Sequence, residues 1–272
     1  AWEITLEKAD GSKVGYHDLA AAAADAKTGD TVVVNSSVYV SGEIEVSASL
    51  TITGADKITG DPTFKLTGAA GTALTADAAL TVKSGDETAY YVNATSDGTK
   101  HTYTLTAWEV VLTKANGGKT GYHDLVAAMA DAATGDTIVV NSSVHVSGEI
   151  GVSVSLTITG ADKIIGDPTF KLTGAAGTAL TADAALTVKS GDETAYYINA
   201  TSDGTKHTYT LTAWEITLEK ADGSKVGYHD LAAAAAAADA GTDDTIVVNS
   251  SVKMAGDISI NSAKTLTIKG AG

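Results

Sequence analysis

Short runs in which apolar and polar residues alternate recur along the whole chain. Trp2-Glu3-Ile4-Thr5-Leu6, Val38-Tyr39-Val40, Ile44-Glu45-Val46, Leu50-Thr51-Ile52, Phe64-Lys65-Leu66, Leu80-Thr81-Val82 and Tyr103-Thr104-Leu105 each place alternate side chains on one face. That is the period of a strand with one side buried. Trp2 is in phase with Ile4 and Leu6 and is therefore read as core. Thr31-Val32-Val33-Val34 lacks the alternation, which predicts a strand covered on both faces and lying under a helix. Gly, Asp, Asn and Ser clusters separate the runs, and two of them, Ala9-Asp10-Gly11-Ser12 and Thr95-Ser96-Asp97-Gly98-Thr99, read as hairpin turns.

One segment breaks the strand pattern. Asp18 to Ala26 is rich in alanine, with Asp18 placed to cap the start and Gly29 to follow the end. Leu19, Ala22, Ala23 and Ala26 share one face. So short a helix is marginal alone and must dock on an apolar surface.

The whole pattern then starts again. From Trp2 to Trp108 and from Trp108 to Trp214 the offset is 106 residues, and the third copy stops at Gly272. The repeats are 1–106, 107–212 and 213–272, with a structural frame expected to be shifted to about 16–121, 122–227 and 228–272. Differences between copies sort positions: apolar residues mostly exchange for apolar ones, whereas Tyr39/His145/Lys253 and Glu45/Gly151/Ser259 change chemistry and are expected to face solvent. No flexible tract separates the copies, which are expected to abut.

Lys and Arg total 18 against 33 Asp and Glu, a formal charge of -15 that argues against a nucleic-acid partner. The chain contains no arginine and no cysteine, so disulfides, thiol nucleophiles and thiolate zinc sites are excluded. No stretch approaches the roughly 20 apolar residues of a membrane span. Any signal peptide is expected to lie upstream or to have been removed. Acidic, cysteine-free tandem copies suit a secreted protein of a microbial cell surface.

The run Tyr16-His17-Asp18-Leu19, the alanine helix, Thr28-Gly29-Asp30-Thr31-Val32-Val33-Val34, Ile44-Glu45-Val46 and Ser49-Leu50-Thr51-Ile52-Thr53-Gly54 resembles the opening of pectin-lyase-like right-handed parallel β-helix modules in large tandem-repeat bacterial surface proteins. The resemblance covers about 40 residues of each copy and recurs at Tyr122 and Tyr228. It implies an all-β fold of tandem β-solenoid modules, each with one short capping helix. The strand count and turn spacing also fit tandem immunoglobulin-like sandwiches, which remain the alternative. The helix favours the solenoid, because the open end of a coil has unpaired strand edges to cover.

Candidate chemistry is sparse. Glu43 and Glu45 lie two apart on one strand face, in principle a hydrolase pair, although Gly151 and Ser259 replace Glu45 in the other copies. His17, His123 and His229 precede the helix without a second ligand at metal spacing beyond the adjacent aspartate. Asp56, Asp61, Asp86 and Asp97 stand in Gly-containing turns and are weak calcium candidates, although none belongs to a calcium-loop signature. Tyr39, Tyr90, Tyr91 and His145 form the candidate binding surface. Thr51-x-Thr53 and Thr102-x-Thr104-x-Thr106 are not expected to repeat on every coil. Asn35, Asn93, Asn141, Asn199 and Asn249 open glycosylation sequons.

These features lead to the expectation of a non-enzymatic structural module of an extracellular fibre, surface layer or adhesin stalk, self-assembling end to end. Its partners would be further copies or a cell-surface polymer or glycan, and no cofactor is expected apart from calcium at the turn aspartates. The alternative is a carbohydrate-binding surface module, with a polysaccharide-degrading β-helix enzyme behind it.

Overall fold

The computed structural model describes residues 2–239, 242–254, 256–260 and 265–271. It divides into two compact units, residues 1–111 with 119–123, and residues 112–118 with 124–272. In the first unit, hairpin β1 (Ile4–Glu7) and β2 (Lys13–Tyr16) precedes helix α1 (Leu19–Asp25). There follow β3 (Asp30–Val34), β4 (Val38–Tyr39), β5 (Glu43–Val46), β6 (Leu50–Thr53), β7 (Ile58–Thr59), β8 (Thr63–Leu66), β9 (Ala73–Ala76) and β10 (Thr81–Ser84). A second hairpin, β11 (Tyr90–Ser96) and β12 (His101–Ala107), closes the series.

Pairing runs in parallel from coil to coil: β3 to β6 to β9 on one face, β4 to β7 on a second, and β5 to β8 to β10 on a third. The fold is a parallel β-solenoid. A sandwich would need antiparallel sheets throughout, so that alternative is overturned. The register stacks like on like. Val32, Ile52 and Ala76 form one column, Leu50 lies beside Leu74, and Ile44, Phe64 and Val82 form another column. Val32, Phe64, Leu66 and Leu74 are fully buried. Alternation therefore fills the coil interior with Val, Ile, Leu and Phe and turns Thr, Lys and Glu outward.

The two ends of the coil are finished by antiparallel pairing. β1 adds to β3 and β2 to β1, while β12 adds to β9 and β11 to β12. Helix α1 starts where Asp18 accepts the Ala20 N–H, and buries Leu19, Ala22 and Ala23. It packs on β5 and on the β1–β2 hairpin. Val33 is only half buried in a strand whose alternate residues point inward, so the expectation that this strand is covered on both faces beneath the helix is corrected. Val33 tolerates its outward position because a β-branched side chain suits a half-exposed pleat.

In the second repeat the order recurs: β13 (Val110–Thr113), β14 (Lys119–Tyr122), α2 (Leu125–Ala130), β15 (Thr137–Val140), β16 (Val144–His145), β17 (Glu149–Val152), β18 (Leu156–Thr159), β19 (Ile164–Ile165), β20 (Thr169–Leu172), β21 (Ala179–Ala182), β22 (Thr187–Ser190), β23 (Tyr196–Ser202) and β24 (His207–Ala213). Within the second unit β15, β18 and β21 pair in parallel, as do β17, β20 and β22, and β24 and β23 finish the first of these sheets antiparallel. The third repeat, also in this unit, contributes β25 (Ile216–Glu219), β26 (Lys225–Tyr228), α3 (Leu231–Ala237), β27 (Asp243–Val248) and β28 (Thr265–Gly270), with β27 and β28 parallel. Tyr39, His145, Lys253, Glu45, Gly151 and Ser259 are all exposed, as the copy-to-copy exchanges imply.

Candidate functional site

The most organised side-chain cluster of the first unit sits where repeat one passes into repeat two. β12 ends at Ala107 and β13 begins at Val110, so Trp108 and Glu109 are the whole connection. The Trp108 ring lies on Gly121, where an added Cβ would stand 2.1 Å from the indole. Its Nε1–H donates to the Glu87 carbonyl at 2.9 Å. Tyr91 meets the indole at 4.8 Å between centroids, and His123 meets Trp108 at 4.8 Å and Tyr91 edge-on at 4.7 Å. Glu109 closes the ring of contacts, taking the Tyr91 hydroxyl on Oε1 at 3.2 Å and facing His123 Nδ1 with Oε2 at 2.9 Å. Burial, then the Glu109 carboxylate, raises the Tyr91 phenol above its ordinary pKa.

The second unit builds the same clamp. Tyr197, Trp214 and His229 lie 4.8, 4.5 and 4.8 Å apart, Glu215 accepts Tyr197 and faces His229, and Trp214 lies on Gly227. Burial works against the Glu215 carboxylate, yet backbone and His229 hydrogen bonds hold its pKa below the usual value. Trp2 belongs to the same set of positions and lies on Gly15, but it is 53% exposed. The expectation that Trp2 is core is thus corrected. β1 begins only at Ile4, so the alternation that places Ile4 and Leu6 inside does not extend back to Trp2.

The other sequence candidates are scattered. Tyr90 and Tyr91 are neighbours on β11 and line a groove of about 460 Å³ with Val82, Lys83, Trp108 and Lys119. Tyr39 is 78% exposed on β4, and His145 is exposed on β16. Asp86 Oδ1 accepts the Thr88 N–H and hydroxyl and the Ala89 N–H, and Asp97 Oδ1 does the same for Thr99 and the Lys100 N–H, so one oxygen of each already holds its own turn. Asp56 lies in a short turn at 55–57, and Asp61 adopts a left-handed φ of 50° before Pro62. Among the described residues no group of three or more His, Asp or Glu is placed to hold a metal ion. Glu43 is bound by Lys83, which keeps its pKa below the ordinary value, and Lys65 lies 3.8 Å from both Glu43 and Glu45. A general acid needs the opposite shift.

Two findings escaped the sequence reading. Asp30, 3% exposed, accepts the N–H groups of Ala9 and Lys27, and Asp136 and Asp244 repeat this bridge. The signal was the recurring Asp-Thr before an apolar strand; one partner, Lys27, lies three residues away, but the other, Ala9, lies in a distant turn. The second finding is a single threonine column: Thr31, Thr51 and Thr75 stand side by side through parallel pairing, and Thr102 and Thr95 continue the column through antiparallel pairing. Val33 stands beside Thr53, so the Thr-x-Thr pair itself does not repeat on every coil, as expected. The sequon residues also divide: Asn35 and Asn249 spend their amides on Trp2 and Trp214 carbonyls, whereas Asn93 and Asn199 are exposed on β11 and β23.

No protein-family description, curated protein or solved structure matches the chain.

Proposed function

We propose that this chain is a non-enzymatic structural segment of an extracellular fibre, surface layer or adhesin stalk, of the tandem-repeat surface-protein type with pectin-lyase-like β-helix modules. The observation that carries the reading is the clamp: the same four side-chain types, at matching distances, tie the end of one repeat to the start of the next in both places where one repeat runs into the next. Near-identical copies joined this way serve length and repetition. The acidic, cysteine-free composition suits an extracellular setting, with further copies or a cell-surface polymer as partner. Immunolabelling of intact source cells is expected to find the protein outside, and incubation with a polysaccharide panel is expected to release no sugar. An exclusively cytoplasmic signal or glycosidic cleavage would overturn the reading.

A second reading rests on the groove beside the first clamp. Tyr90, Tyr91 and Trp108 offer aromatic surface there. Lys119 lines it and adds a positive charge that also acts on the Asp86 carboxylate. Such a groove suits a sugar ring stacked on an aromatic face. Glycan-array binding that disappears in Tyr90→Ala would favour this carbohydrate-binding role.

A further inference from the structure

Trp2 carries half of a clamp. Its indole covers Gly15 and lies 4.6 Å from the His17 ring, and His17 Nδ1 is bound to Glu3 Oε2. In the two completed clamps the glutamate uses Oε2 for histidine and Oε1 for a tyrosine hydroxyl. The tryptophan Nε1–H there donates to the carbonyl of Glu87 or Glu193, and its backbone N–H donates to Ala89 or Ala195. Among the described residues no tyrosine ring packs on Trp2 and no phenol reaches Glu3 Oε1. The difference shows in exposure: Trp108 and Trp214 are half buried and Trp2 is open.

We propose that Trp2, Glu3, Gly15 and His17 form a docking site for the closing hairpin of a further copy of this repeat. The occupant is defined by the chemistry of the two completed clamps. It presents a tyrosine edge to the imidazole and ring to the indole, a hydroxyl to Glu3 Oε1, and backbone carbonyls to the Trp2 indole and main-chain N–H groups. The β11–β12 hairpin and the turn before it supply all of these together, since Tyr91, Glu87 and Ala89 lie within five residues of one another. A bare aromatic ligand supplies only the stacking. Gly15 is required because any side chain there would lift the indole off the hairpin. This inference rests on the structural reading above and adds to it that the joint is specific for the repeat's own hairpin.

The test keeps the whole chain and adds residues 1–106 once more ahead of Ala1. Iodide quenching of fluorescence counts accessible indoles. The native chain has three tryptophans, and one, Trp2, is expected to be accessible. Tyr91→Ala in the native chain calibrates the count by opening Trp108, which raises it from one to two while far-UV circular dichroism stays unchanged. The extended chain, with a fourth tryptophan, is expected still to show one, because the added hairpin covers Trp2. A count of two, whether from an undocked or an unfolded added copy, overturns the proposal. So does an extended chain whose count stays at one after the added copy's counterpart of Tyr91 is changed to Ala. Failure here leaves the extracellular structural role standing, whereas cleavage of a polysaccharide sinks that role and leaves the docking count untouched.

Discussion

At Gly121 a single added carbon would stand 2.1 Å from the Trp108 ring, far inside contact distance. Gly121→Ala must therefore displace the indole and with it the Tyr91 and His123 contacts. Overpacking of this kind costs about 1–3 kcal/mol. Gly151, by contrast, has open space around its Cβ position, and Glu45 occupies the equivalent place in the first repeat. Urea denaturation is expected to show a lower midpoint for Gly121→Ala and a change within about 0.5 kcal/mol for Gly151→Ala. Asp30 makes a pH prediction. Hydrogen bonds from the Lys27 N–H and then the Ala9 N–H hold its pKa below the ordinary carboxylate value. A depressed folded pKa contributes stability that is complete above the unfolded value, about 3.9, and is lost as pH falls through the folded one. Melting temperature is thus expected to fall steeply below about pH 4, and less steeply in Asp30→Asn, which starts from a lower value at pH 7.

The helix is legible as an element and its docking is not. Asp18, the alanine run and the spacing of Leu19, Ala22, Ala23 and Ala26 identify a capped helix with one apolar stripe, and those four residues are the buried ones. Which surface receives the stripe depends on chain geometry, and the receiver is β5 with the β1–β2 hairpin. Leu19 is 1% exposed and supplies most of the apolar area in a helix whose other residues are alanines and Asp25. Leu19→Ala is expected to cost about 2–5 kcal/mol and to loosen the helix first, which hydrogen exchange at Ala22 and Ala23 would report. Wild-type exchange rates there would show that the helix contributes little to closing the coil. The hairpins follow the same logic. Their turns are local and readable, but their place at the two ends of the parallel sheet is a matter of pairing. There they supply antiparallel partners to β3 and β9, whose outer edges would otherwise be open.

For the molecule as a whole, charge is the dominant long-range term. A net charge of -15 means that compaction works against self-repulsion. Raising sodium chloride from about 10 mM to about 150 mM shortens the screening length from roughly 30 to roughly 8 Å. The melting temperature is expected to rise over that range. Calcium chelation is expected to leave it unchanged, because Asp86 and Asp97 each commit Oδ1 to their own turn and, among the described residues, no group of three or more His, Asp or Glu is placed to hold a metal ion. A melting temperature that drops with chelator would reveal a cation at the turns and revise this account.

Alternation, turn residues, the capped helix and the restart at Ala107 are all written in stretches of a few residues or in plain copying, so the chain alone specifies strands, turns, helix and repeat. It also separates inside from outside, because burial of apolar surface is non-directional and needs only the right period. Neighbour identity is a different matter. Thr31 meets Thr51, Asp30 meets Ala9, and Tyr91 meets Trp108 and His123 across separations that no local pattern marks. Trp2 shows the limit most directly: its phase pointed inward, yet the backbone departs from the strand before Ile4 and the ring covers Gly15 instead. Parallel coiling brings each coil strand beside the strand one turn away, while the antiparallel β11–β12 hairpin at the end of the coil sets Tyr91 against Trp108 and His123; both pairings are decided by the closed coil and not by any local run of residues.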